Sequence, residues 1–436
     1  MHMKSRARTA WPLIVFGILG LFAPTRAAGQ AGAPAAPQNP PARVTLDQAI
    51  DMALKHNHSL QAARTTILQN QALEITANLR PNPTLSGDTQ FLPLFNPNDF
   101  TTTYLNNNAQ FDLGVGYLFE RGQKRQHRLQ AAKDQTAVTT AQVGDNERTL
   151  TFNVASQFIA ALLAQANVEL ADTDLKSFQQ TVDIGEEQTK AGAMSEGDLL
   201  KIKLQMLQFQ TDVSAAKLAR VQAMASLRQL LGYESVPESY EVIGDLEYVP
   251  VKLGKDDLKA LALRQRPDVR AAQLGVTAAE SQLSLAQANG KRDVTASVNY
   301  SHVGDTNGVS IFGSIELPIF DRNQGEIART RYAVGQSQEL SSEQASLALT
   351  DVENSYEALH TNDEVVQLYQ SGYLKDSQDS RDISQYAYQR GAASLLDFLD
   401  AERSYRATQL AYRQALASYM TSLEQLRQAV GTRSLP

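Results

Sequence analysis

Asp397 and Asp400 stand three residues apart at the end of Tyr388–Asp400, Tyr-Gln-Arg-Gly-Ala-Ala-Ser-Leu-Leu-Asp-Phe-Leu-Asp. In a helix that spacing places both carboxylates on one face. Ser394 is suited to cap such a helix and Gly391 to end the one before it. Serine accepts hydrogen bonds from free N–H groups, and glycine tolerates the left-handed backbone of a helix stop. Acidic residues in a first turn complement the positive end of the helix dipole. The same pair could instead act as a charged gate for ions. The spacing alone leaves both roles open. A second copy of the turn occurs earlier in the chain, where Gly192, Ser195 and Asp198 repeat the spacing of Gly391, Ser394 and Asp397.

Other reactive residues point to little chemistry. His56 and His58 could chelate a metal weakly, but no carboxylate or further histidine is close in sequence. Stable metal sites need three or four placed ligands, so the two read as a surface pair. The remaining histidines are scattered and form no hydrolase constellation. The absence of cysteine excludes disulfides, thiolate metal sites, cysteine nucleophiles and a lipid-modified cysteine. There is no Gly-x-x-x-x-Gly-Lys-Ser/Thr phosphate loop, hence no recognisable nucleotide-driven motor. The net charge of −7 argues against nucleic acid as a partner. Lys124-Arg125-Gln126-His127-Arg128 directly follows a strand-like stretch and reads as a solvated helix face, or as the rim of a sheet. Neither an enzyme nor a cofactor or metal site is expected.

The elements that must position the two acidic turns are long helices. Between Gln123 and Lys190, and again between Gln324 and Arg390, there is no proline and little glycine. At about 1.5 Å per residue each pattern reaches roughly 100 Å if continuous. The returning helices carry seven-residue seams: Leu199, Met206, Val213, Arg220 and Leu227 in one, Phe398, Tyr405, Tyr412, Tyr419 and Leu426 in the other. That is coiled-coil packing, and the tyrosine stripe reads as helix-packing core. Four further stretches alternate apolar with polar residues: Thr84–Phe91, Ala109–Phe119, Asp293–Tyr300 and Val309–Leu317. Strands of about ten residues with one apolar face fit a transmembrane β-barrel or a sheet packed on a helical core. Four strands cannot close a barrel, whose smallest examples have about eight. If these strands span a membrane, several chains must share one barrel.

The halves repeat. Ala53–Ala63 pairs with Ala262–Ala272, Leu118-Phe119-Glu120-Arg121-Gly122 with Ile319-Phe320-Asp321-Arg322-Asn323, and Leu231-Gly232 with Val430-Gly431. Matches in the same order mark an internal duplication. The expected division is a signal peptide over residues 1–27, an Ala/Pro-rich linker over 28–43, and a first structural repeat over 44–232. An inter-repeat or equatorial segment over 233–255, a second repeat over 256–431 and a tail over 432–436 follow. The signal rests on Lys4, Arg6 and Arg8 before the apolar Trp11–Ala23, with small residues at Thr25-Arg26-Ala27.

A signal peptide, two copies of helix–strand–strand–long helix–turn–helix and the lack of cysteine together resemble the TolC-like outer-membrane efflux protein family. The likeness runs from about Val44 to Gly431. Its most specific pieces are Leu317-Pro318-Ile319-Phe320-Asp321-Arg322-Asn323-Gln324-Gly325-Glu326-Ile327 and the two Gly-x-x-Ser-x-x-Asp turns. The Asp-Arg-Asn-Gln-Gly string is most similar to members of the cobalt–zinc–cadmium or copper type. The resemblance implies a mainly α fold with a transmembrane β part. In it a homotrimer pools its strands into a twelve-stranded barrel in outer-membrane lipid, above a long periplasmic coiled-coil barrel. It implies a passive duct for substrates, heavy-metal cations first and drugs or a type I secreted protein as alternatives. Its partners would be a periplasmic adaptor protein and an inner-membrane pump of the resistance–nodulation–division type. Gly192, Ser195, Gly391 and Ser394 match the adaptor-docking tips, and Asp397 and Asp400 match the periplasmic gate. Asp198 and Tyr388 match members of a latch. The arginine expected in that latch is replaced by Ala393, which implies a weaker or differently built one. The rival reading is a soluble periplasmic coiled-coil scaffold or adaptor.

Overall fold

The computed structural model describes residues 42–435. The expected signal peptide, most of the Ala/Pro-rich linker and Pro436 lie outside the described residues. Helix α1 (Leu46–His56) starts in a capping box between Thr45 and Gln48. Asn57 ends it and caps α2 (His58–Ala77), accepting from the Leu60 N–H while its amide donates to the Leu230 carbonyl. Strand β1 (Arg43–Val44) pairs in parallel with β4 (Glu241–Val242), which ties the inter-repeat segment to the start of the described chain.

After Pro81 and Pro83 the backbone turns extended. Strands β2 (Thr84–Gln90), β3 (Gln110–Phe119), β5 (Val294–Val303) and β6 (Thr306–Ile315) form one antiparallel sheet in the order β2-β3-β5-β6, with the short helix α3 (Thr102–Asn108) in the β2–β3 loop. Both halves of the chain therefore contribute a hairpin, and β3 joins β5 across the repeat. The register aligns Leu85, Val115, Val298 and Ile311 in one row, and Gly87, Leu113, Tyr300 and Val309 in the next. Because side chains alternate along a strand, these rows share one face, and their large apolar side chains are exposed. The opposite face carries Ser86, Gly114, Asn299 and Ser310 in register, then Asp88, Asp112, Ser301 and Gly308. The expected alternation runs through all four strands, with Leu118, Val303 and Phe312 as apolar exceptions on the polar face. The β5–β6 turn is tight. Val303 pairs with Thr306, leaving Gly304-Asp305 as the tip, with Gly304 at φ +56.

Helix α4 (Lys124–Lys190) is unbroken for 67 residues, about 100 Å at 1.5 Å per residue. Its counterpart is not continuous. Helix α8 (Gln324–Leu368) passes through a π-type turn at Tyr369–Tyr373, where Gly372 takes φ 143, before α9 (Leu374–Gln389) resumes. A single glycine in a helical pattern gave little warning of that break, although π-type turns are recognised places for a helix to change direction. The returning helices are α5 (Glu196–Leu231) and α10 (Leu395–Val430). Their seams point inward: Val213, Leu227, Phe398, Tyr419 and Leu426 are buried. The tyrosine stripe packs as read from sequence. Arg381 sits over the Tyr405 ring, Tyr412 tilts against Tyr369, and the Tyr419 hydroxyl donates to the Val249 carbonyl.

The basic run after β3 is not a solvated face. Lys124 is buried against Asp293 at 2.7 Å, and Arg128 bridges Glu120 and the carbonyls of Ala77 and Leu79. Two cations of the run thus knot the sheet to the helices. Sequence periodicity could not show this, because the partner carboxylate Asp293 lies in the other repeat.

A second buried ionic knot sits where α6 (Lys255–Gln265) meets α7 (Pro267–Asn289). Arg266, 3% exposed at the side chain, grips Asp268 with both arms and reaches Asp351 and the Ala429 carbonyl. Asp268 also accepts from Gln344 and faces Arg148 at 3.5 Å. Burial by itself would push the Asp268 carboxyl up, but the Arg266 contacts outweigh it and hold the group below its ordinary value.

Candidate functional site

The two acidic turns are built alike. At the end of α4, Gly192 takes φ +72 and the Ala193 N–H returns to the Gln188 carbonyl; at the end of α9, Gly391 takes φ +72 and the Ala392 N–H returns to the Ala387 carbonyl. These are left-handed helix stops that favour glycine because a side chain there meets its own backbone. Nothing lies within 4 Å of where a Cβ would stand on either glycine, so the conformation rather than crowding selects the residue. Ser195 and Ser394 then cap α5 and α10, accepting from the N–H groups of Asp198 and Asp397.

Asp397 is engaged locally. Its Oδ2 accepts from the Ser394 N–H at 3.1 Å and the Ser394 hydroxyl at 2.7 Å, which completes a capping box. The serine hydroxyl holds its carboxyl below the usual carboxylate range. The group stays charged and exposed on the first turn of α10. Asp400 is also exposed, one turn further on, and pairs with Arg403. The structure thus brings Asp397 and Asp400 to one exposed helix end, and each has a local partner.

No hydrogen bond joins Asp198 to Tyr388. Asp198 accepts from Ser195 at 2.9 Å and Lys201 at 3.0 Å, and those bonds, Lys201 first, lower its pKa. The Tyr388 hydroxyl is buried with no hydrogen-bond partner, and its ring stacks on Phe398 at 5.4 Å. Burial, and then the Asp198 charge, raises its pKa. What holds the two turns together is apolar: Phe178 and Val182 of α4, Ile202 and Phe209 of α5 and Phe398 of α10 form one buried cluster, flanked by Met194, Tyr388 and Leu395.

Above that cluster lies an ionic tie that sequence reading missed. Arg406 of α10 donates through Nε to Asp174 of α4 at 3.1 Å, and through a terminal nitrogen to Asp212 of α5 at 2.7 Å. Its guanidinium also lies 4.1 Å from the centre of the Phe209 ring, which stacks on Phe178 at 4.5 Å. One side chain of the second repeat therefore clamps both long helices of the first. Burial pushes the Asp174 carboxyl up, with Arg406 opposing the shift, and burial likewise raises Glu402 one turn below Arg406. A cleft of about 520 Å³ opens beside the tie between α4 and α5, walled by Ala164, Ala171, Ala215 and Ala219. The only signal in the sequence was charge close to an otherwise apolar seam.

Among the described residues there is no group of three or more His, Asp or Glu side chains placed to hold a metal ion. His56 and His58 are both exposed, as a surface pair would be. The geometry is that of a wall: a two-faced sheet at one end of long helices, and charged turns at the other.

The sequence model of the outer membrane efflux protein family matches residues 49–233 and 258–432. This chain belongs to that family. The cobalt-zinc-cadmium resistance protein CzcC of Cupriavidus metallidurans is 24% identical over 396 residues, spanning 88% of this chain and 89% of its own. The cation efflux system protein CusC of Escherichia coli K12 is 29% identical over 321 residues, spanning 69% of this chain and 66% of its own. A crystal structure of CusC superposes with a TM-score of 0.74 at 21% identity, covering 89% of this chain and 92% of that one. The protein is thus an outer-membrane efflux channel with the TolC-like fold, and not an enzyme. Its family provides the outer-membrane part of tripartite efflux systems. That sets aside the reading as a soluble periplasmic scaffold, and it accounts for the exposed apolar face of the sheet as a lipid-facing surface.

Proposed function

We propose that this channel is the passive exit duct for heavy-metal cations, working as a homotrimer with a periplasmic adaptor and an inner-membrane pump of the resistance–nodulation–division type. The observation that carries the assembly is the sheet. It has an apolar face, a polar face and edge strands β2 and β6 on opposite sides, so three copies joined edge to edge would close twelve strands around a polar lumen. In this reading residues 44–232 and 256–431 are two structural repeats linked by 233–255. The turns at Gly192–Ser195 and Gly391–Ser394 are the adaptor-docking tips. Three copies of Asp397 and Asp400 around one axis concentrate cations at the entrance and oppose anions.

Asp198 and Tyr388 belong to the latch of this entrance, which Ala393 leaves weaker or differently built. With Ala393 in place of an arginine, the aromatic cluster at Phe178, Phe209 and Phe398 and the Arg406 tie hold the second repeat's hairpin against the first. Cation cargo is supported by the names of two relatives, a cobalt-zinc-cadmium resistance protein and a cation efflux protein. Deletion of the gene tests it. Tolerance to zinc, cobalt, cadmium or copper should fall and be restored by a plasmid copy, with drug tolerance unchanged. Loss of drug tolerance with metal tolerance intact would replace metals by drugs as the cargo.

A further inference from the structure

The loop between β2 and β3 exposes more apolar surface than a water-filled setting suits. Phe95 is 102% exposed, Leu94 68% and Phe91 62%, and Leu92 and Phe100 are partly open too. The segment is held by short-range bonds: the Leu94 N–H reaches the Leu92 carbonyl at 2.8 Å, Asn96 reaches Pro93, and the Asn96 amide bonds Asp99. It enters the loop through Phe91 at φ +57, a conformation that a bulky residue rarely adopts. The chain is thus turned sharply at Phe91 and presents Leu92, Leu94 and Phe95 together.

The sheet register shows where that cluster stands. On the apolar face Gly87 of β2 shares a row with Val309 of β6, the outermost apolar residue of that strand. Beyond this row the face turns polar on the β5–β6 side, where His302 and Asn307 bond and the Tyr300 hydroxyl donates to the Asn307 side chain. On the β2 side the next large apolar residue is Phe91, four residues past Gly87 and just beyond the strand's end at Gln90. At the helix end the shift is reversed: apolar residues on β6 continue through Ile315 to Leu317, whereas β2 stops at Leu85, level with Ile311. Barrel strands tilt by about 40° and stand about 4.8 Å apart, so a row perpendicular to them changes height by roughly 9 Å across three gaps. Roughly 9 Å of height is about 12 Å along a tilted strand, or three to four residues. The stagger of the apolar limits has the size that tilt produces, and a tilt that raises the row from β2 toward β6 sets Phe91 and Val309 at the same depth. Leu92, Leu94 and Phe95 then lie just outside the hydrocarbon boundary.

We propose that Phe91–Phe95 is a lipid anchor, seated in the interface of the outer leaflet beside the edge strand. Aromatic and apolar side chains are favoured at that depth, and the polar Asn96, Asn98 and Asp99 that follow face water. The surface is continuous with the lipid-facing side of the sheet, so a lipid surface is its partner. This rests on the outer-membrane channel reading, and the controls below separate the two.

The chain has no cysteine, so single-cysteine variants label at one position. Phe95→Cys and Leu94→Cys are spin-labelled in the full chain and reconstituted into phosphatidylethanolamine–phosphatidylglycerol vesicles, with Ile311→Cys on the apolar face and Ser310→Cys on the polar face as references. Collision rates with oxygen, which concentrates in lipid, and with a water-soluble nickel chelate are compared. Oxygen should exceed nickel several-fold at 95 and 94, as at 311, and the ratio should invert at 310. Nickel-dominated collisions at 95 and 94 with a lipid signature at 311 would overturn the anchor and leave the barrel standing. Exclusion of both reagents there would assign the loop to a neighbouring copy instead. A nickel-dominated label at 311 would overturn the barrel reading and the anchor with it.

Discussion

Arg406 is the strongest test of how the second repeat is held to the first. Arg406→Ala removes both charge-assisted bonds, to Asp174 at 3.1 Å and Asp212 at 2.7 Å, and the contact over Phe209. Removing one member of a buried ion pair costs about 3–5 kcal/mol when the remaining charge cannot reach water. Asp174, with 8% of its side chain exposed, meets that condition, whereas Asp212 at 33% does not. The cleft beside them admits water to part of the cluster, and Asp174 can relieve itself by taking a proton. A loss of about 2–3 kcal/mol is therefore expected at neutral pH, including roughly 0.5–1 kcal/mol for the cation–π contact. Because burial raises the Asp174 pKa and Arg406 opposes this, the variant's carboxyl rises further. A carboxyl with a raised folded pKa favours the folded state below its unfolded pKa, and that contribution is lost as pH rises through the folded value. The deficit should shrink as pH falls from 8 toward 5, and Asp174→Asn should recover part of it. Native-state hydrogen exchange of α4 residues 170–182 and α5 residues 202–213 reads the local opening energy. A deficit under about 0.5 kcal/mol, typical of an exposed surface pair, or one that does not change with pH would refute the tie.

Two further predictions bear on the entrance and the equator. Asp397→Ala combined with Asp400→Ala should raise single-channel conductance or lower cation selectivity in planar bilayers; unchanged values would assign both carboxylates to helix capping alone. Asp268→Asn should destabilise the fold by about 3 kcal/mol near pH 7, because Arg266 is left buried with one of its two carboxylates gone. Asp268 sits below its ordinary pKa, so its contribution is present above the unfolded value and lost as pH falls through the folded one. The gap between Asp268→Asn and the parent, followed by thermal melting, should therefore close in acid, and a gap that widens there would count against the knot.

Local pattern carried much of the architecture. Strict alternation fixed which residues of β2, β3, β5 and β6 share a face, since a one-residue slip would exchange the two faces. The paired glycine–serine turns were legible because only a few residue types suit those backbone positions. What escaped were facts of three-dimensional proximity. Asp293 and Lys124 lie in different repeats, and nothing in the Lys124–Arg128 run shows that its first cation is buried. Arg406, Asp174 and Asp212 come from three helices, each with ordinary helical spacing. The break at Gly372 was hidden because one glycine is tolerated inside a helix. Asp397 and Asp400 were found as a pair, but their local engagement with Ser394 and Arg403 shows in the folded geometry alone.

The central claim is that three chains share one barrel. Strands β2 and β6 are opposite edges of the sheet in one chain, so contact between them can arise only across copies. In a chain without cysteine, a small set of double variants, all on the polar face of the sheet, pairing Ser86→Cys or Asp88→Cys on β2 with Gly308→Cys, Ser310→Cys or Ser314→Cys on β6 covers the plausible registers. Oxidised in intact outer membranes and run on a denaturing gel without reductant, at least one pair should yield covalent dimers and trimers and nothing larger. Monomers from every pair, or a ladder that continues past three, would contradict the account.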